Sequence, residues 1–131
     1  MGFQEIQHTA DWSMRVWADD LASLFAESAR GMNFLAGVKL DNQNRVKRQF
    51  EAEGPDVESL LVAFLSELVY YQEQENLAFD IFTINVGKNL RAKMEGARII
   101  SADKAIKAVT FHNLKIRKTA RGFEVEIVLD V

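Results

Sequence analysis

The chain has 131 residues, 48% of them hydrophobic and 27% charged, with a formal net charge of −3 and no cysteine. That length supports one domain, residues 1–131, able to bury roughly two-thirds of its unfolded surface around a single core. The missing cysteine excludes disulfides and thiolate metal sites and fits a reducing compartment, while the acidic balance weighs against bulk nucleic-acid binding, which draws on clustered positive charge.

Met1-Gly2-Phe3-Gln4-Glu5 lacks the positive region and apolar core of a secretory leader. Uninterrupted apolar runs fall far below the roughly 20 residues needed to cross a bilayer. A cytoplasmic protein with no membrane association is expected. Neither a linker, a low-complexity segment nor an internal repeat interrupts the chain.

From 12 to 18 the residues alternate, with Trp12, Met14, Val16 and Ala18 on one side and Ser13, Arg15 and Trp17 on the other, which predicts a half-buried strand. The period then changes. Leu21, Leu24, Phe25 and Met32 share a helical stripe, with Asp19 or Asp20 as its N-cap. A polar turn is expected around Asp41 to Asn44, then a strand over 46–53 that Gly54-Pro55-Asp56 stops. Asp56 caps a long helix whose Val57, Leu60, Leu61, Phe64, Leu65 and Leu68 form the strongest periodic signal in the chain.

Residues 79–86 and 90–95 flank Gly87-Lys88-Asn89 as a hairpin, with Leu90, Ala92 and Met94 alternating against Arg91, Lys93 and Glu95. A second hairpin closes the chain. A turn at Ala120-Arg121 pairs Lys118 with Phe123 and brings the His112, Leu114, Ile116 face onto that of Phe123, Val125, Ile127 and Leu129. Carried to the end, this register sets Asp130 opposite Phe111, with Lys107 at the same parity. The sum is an α+β domain of two helices packed with mostly antiparallel sheets, about six or seven strands in all.

Three short pieces carry the chemistry: His8-Thr9-Ala10-Asp11, the run Lys107-Ala108-Val109-Thr110-Phe111-His112, and Asp130-Val131. Taken singly, Asp11 reads as a turn or cap residue, Asp130 as a solvated charge and Lys107 as a surface lysine. If the first segment packs beside the last, the side chains of Asp11 and Asp130 and the Val131 carboxylate offer three oxygens of the kind that hold a hard cation. His8 is placed to orient Asp11 by a hydrogen bond, and His112 is expected on the apolar face. Lys115, Arg117, Lys118 and Arg121 make the last hairpin tip basic, which is read first as a solvated end, with contact to RNA or to an acidic partner surface as the alternative. No nucleophile stands in a recognised signature and there is no glycine-rich phosphate loop, so independent catalysis is not expected.

In their order and distance from both ends, the three pieces resemble the archease family, the partner proteins of the tRNA-splicing RNA ligase. The similarity takes in essentially the whole chain, including residues 21–32 and the acidic-then-leucine-rich run from Asp56 to Leu65. This chain has Gln7 where the family usually has aspartate, and Phe111 where it usually has tyrosine. The resemblance implies an α+β fold and a non-enzymatic activator that promotes guanylylation and repeated turnover of the ligase. It also implies that the counterpart of Lys107 belongs to the functional site. A divalent cation is expected at Asp11, Asp130 and Val131, calcium first, with magnesium and manganese as alternatives. The ligase would be the partner, RNA would be met only through it, and a monomer is expected. Two other classes stay open: a metal-binding, chaperone-like module for RNA-processing proteins, and a weak RNA-modifying or hydrolytic enzyme.

Overall fold

The computed structural model describes residues 1–7, 12–111 and 113–131. Two caps set its helices. The Asp20 carboxylate accepts from the Ser23 N–H at 2.7 Å and opens α1, Leu21–Ala36; the Asp56 carboxylate accepts from the Ser59 N–H at 2.8 Å and opens α2, Val57–Tyr70. Each satisfies an N–H that the first helical turn leaves without an internal partner. α2 runs on into a π-helical turn, Tyr71–Glu75, which ends at Asn76 with φ 55°.

Among the described residues there are eight strands: β1 (Gly2–Gln7), β2 (Trp12–Ala18), β3 (Lys39–Glu53), β4 (Leu77–Val86), β5 (Asn89–Ser101), β6 (Ala108–Thr110), β7 (Arg117–Thr119) and β8 (Gly122–Asp130). One sheet has the order β1-β2-β8-β6, with β7 also paired to β8, and the other the order β3-β5-β4. Every pairing is antiparallel. α1 packs on β2 and β4 and α2 on β3 and β6, so the helices join the two sheets. The apolar stripes meet there: Met14 and Val16 of β2, Leu24, Phe25 and Met32 of α1, Leu61, Phe64 and Leu65 of α2, Ala92 and Met94 of β5, and Ile127 and Leu129 of β8 are all buried. Phe64 stacks on Phe25 with centroids 6.0 Å apart and meets Phe82 edge-on at 5.9 Å, geometries that aromatic rings prefer in a packed core.

The α+β class, the two helices and the antiparallel sheets match expectation, while three details differ. β1 is an added edge strand, paired from Gly2↔Trp17 to Gln7↔Trp12. Residues 41–44 lie inside β3 in place of a turn, and the register with β5 breaks between Asp41 and Val46. Cross-strand charges explain why so polar a stretch stays extended: Arg45 bonds Asp80 at 2.5 Å and Glu95 at 3.2 Å, and Arg98 meets Asp41 at 3.4 Å.

The third difference bears on the site. Lys118 faces Phe123 as predicted, yet that register does not continue, because Asp130 faces Ala108 and not Phe111. Between Thr110 and Arg117 the chain leaves the ladder. Leu114 N–H bonds the Phe111 carbonyl at 3.1 Å, Asn113 takes a left-handed φ of 58°, and Ile116 N–H donates to the Glu58 carboxylate at the start of α2 at 3.0 Å. Leu114 is buried by this excursion while Phe111 stays 50% exposed. One anticipated strand thus becomes β6 and β7.

Candidate functional site

Residues 102–107 connect β5 to β6, and their main chain is tied down at both ends. α1 finishes at Gly37, whose φ of 66° is the left-handed conformation that glycine adopts without strain. The Ala36 carbonyl, which would otherwise be an orphan of the helix end, accepts from Asp103 N–H at 2.8 Å and from Lys104 N–H at 3.2 Å. A Cβ at Gly37 would collide with the Asp103 carboxylate. Ile106 is buried, and Lys107 N–H donates to the Asp130 carbonyl at 2.7 Å.

This anchoring places two lysines at the edge of the larger sheet. The Lys104 ammonium sits over the Trp12 ring, 4.3 Å from its centroid, a distance at which the ring's negative face attracts a cation. Lys104 and Lys107 are both exposed, and neither makes an ion pair with a described residue. Both line a groove of about 540 Å³ whose other wall is formed by Gln72 and Glu73 of the π-helical turn and by Asn76.

The expected neighbours are therefore partly assembled. Lys107 and Asp130 meet through the main chain; Asp130 is exposed at the end of β8, and Val131 is partly buried against the core. Trp12 and Leu129, the sequence neighbours of Asp11 and Asp130, face each other across β2 and β8. His8, Asp11 and His112 lie outside the described residues. Among the described residues no group of three His, Asp or Glu side chains is close enough to hold a metal. The Asp130 carboxylate and the Val131 main-chain oxygen are hard oxygens, the donor type that calcium-like ions take.

At the basic hairpin tip one cation, Arg121, has an acidic partner. Arg121 bonds Glu124 at 2.7 Å and covers Trp17 at 4.4 Å, and Arg117 faces Glu124 across the ladder. Lys104 is the residue that sequence reasoning passed over. Its only signal is closeness to Lys107 in the chain; the Trp12 seat depends on the anchoring to Ala36, which no local pattern carries. No helix among the described residues is long and apolar enough to cross a membrane.

This antiparallel α+β fold has counterparts among known proteins. The model of the archease protein family matches residues 3–131. The protein archease of Methanopyrus kandleri is 30% identical, with 100% of each chain covered, and that of Pyrococcus abyssi is 31% identical, with 98% of each covered. Two solved structures share the fold: an archease from Thermotoga maritima, described as a possible chaperone, with a TM-score of 0.76 at 19% identity, covering 98% of this chain and 96% of that one; and protein 1598 of Methanobacterium thermoautotrophicum, with a TM-score of 0.71 at 21% identity, covering 99% of each. The chain belongs to the archease family.

Proposed function

We propose that this protein is an accessory activator of the tRNA-splicing RNA ligase, promoting ligase guanylylation and repeated turnover, and is not itself an enzyme. The supporting observation is the junction of Lys107 with Asp130: two of the three motif pieces that carry the family resemblance are joined by a hydrogen bond at one exposed edge. In this reading Asp11, Asp130 and Val131 hold a divalent cation, calcium by the hardness of their oxygens, with magnesium or manganese as substitutes. His8 orients Asp11, and Lys107 adds a positive group beside the carboxylates. A bound cation supplies positive charge where the partner's nucleotide is handled. The ligase keeps the substrate RNA, and the activator acts as a monomer in the cytoplasm.

The deciding experiment is a ligation time course with the ligase limiting, with and without this protein. Several turnovers per ligase only in its presence support the reading; equal product in both arms removes it. A second reading, a chaperone-like module with several RNA-processing clients, draws on the exposed apolar side chains of Phe34, Ile100 and Phe111 and on the description of the Thermotoga protein. Suppression of aggregation of unrelated clients, without selective binding to the ligase, would favour it.

A further inference from the structure

Besides the buried Ile106, the loop that bears Lys107 makes three polar contacts among the described residues: with the Ala36 carbonyl, the Asp130 carbonyl and the Trp12 ring. The first two are main-chain contacts that survive most substitutions. The third depends on one side chain, and it alone ties the loop to the residue that follows Asp11. Because Trp12 also faces Leu129 across the ladder, a cation on its ring links the strand leaving the first motif to the loop entering the second. Lys104 spends its charge on this ring, since no described carboxylate lies within ion-pair distance of it. Asp103, the adjacent acid, is turned against Gly37 at the end of α1.

We infer that Lys104 is a positioning residue: its seat on Trp12 holds the loop that leads into the Lys107 and Asp130 edge against the start of β2, so that this loop and the strand present to a partner as one unit. The role in partner binding rests on the reading of that edge as functional. The clamp itself does not, and it can be measured on the protein alone.

The test compares the full-length protein with its Lys104→Met and Lys104→Arg variants, the first keeping length without charge and the second keeping charge over the ring. Hydrogen exchange of the Lys107 amide, followed by NMR, reports whether the loop stays closed on Asp130. Loss of one exposed cation–π contact should speed that exchange about two- to five-fold in Lys104→Met, and Lys104→Arg should restore the original rate. A Trp17→Phe background isolates Trp12 fluorescence, which should change in Lys104→Met and return toward wild type in Lys104→Arg. In the ligase assay Lys104→Met should raise the concentration of this protein needed for half-maximal activation while leaving the maximum unchanged. Unchanged Lys107 exchange in Lys104→Met would overturn the proposal, as would an arginine variant behaving like the methionine one. If the wild-type protein fails to activate the ligase, the functional reading falls while the exchange rates still decide the clamp.

Discussion

Lys107 N–H donates to the carbonyl of Asp130 at 2.7 Å, so the residue that opens the second motif is fixed to the third by backbone alone. Its side chain is left exposed, and the main-chain origin of the contact means that replacing the side chain of either of these two residues tests function without undoing the junction.

Lys107→Ala and Asp130→Ala should each abolish ligase activation and change stability by no more than about 0.5 kcal/mol, as surface replacements usually do. Ligase turnovers and the denaturant midpoint are measured on each variant. Full activation in both, or a loss that merely tracks unfolding, would remove the shared functional edge.

Leu61 gives the opposite pattern. It is fully buried on α2, and Leu61→Ala should cost on the order of 2–5 kcal/mol through the cavity it leaves. Activation should then fall only as the folded fraction falls, which a temperature series of paired activity and circular dichroism would reveal.

The proposed cation site predicts a ligand-dependent melting temperature. Binding to the native state alone stabilises by RT ln(1 + [L]/Kd), so added calcium should raise Tm and chelation should lower it. Asp130→Asn should blunt both shifts; an identical calcium response in wild type and variant would place the ion elsewhere.

At position 7 this chain has glutamine where the family usually has aspartate. Since carboxylate count helps set affinity for hard cations, Gln7→Asp should tighten calcium binding in a calorimetric titration. An unchanged or weaker isotherm would show that position 7 does not serve the site.

Acid sensitivity should trace in part to the cap of α2. The Ser59 backbone N–H, with its hydroxyl assisting, holds the Asp56 carboxyl below its ordinary value of 3.8. A carboxyl depressed in the folded state stabilises fully above its unfolded pKa, and that contribution is lost as pH falls through the folded one. Asp56→Asn retains an uncharged acceptor for the cap, so its stability below about pH 4 should decline less steeply with falling pH than that of the wild type.

The sequence by itself determined the helices and most of the strand faces, because those depend on patterns only a few residues long. The Leu60, Leu61, Phe64, Leu65 stripe and the caps at Asp20 and Asp56 act within one or two turns, and the alternation of Leu90, Ala92 and Met94 within one strand. The tip of the last hairpin was legible for the same reason, since a tight turn fixes its own nearest pairs. Only the tertiary structure decided what lies farther along that hairpin. The departure between Thr110 and Arg117 is held by Glu58 of α2 and by burial of Leu114, contacts absent from the local pattern, and they move the partner of Asp130 from Phe111 to Ala108. The edge strand β1 was missed because its pairing with β2, not a strong alternation of its own, makes it a strand. The seat of Lys104 on Trp12 likewise needs the end of α1, the last strand and the second strand to be in place together, and no spacing along the chain encodes where three such elements converge.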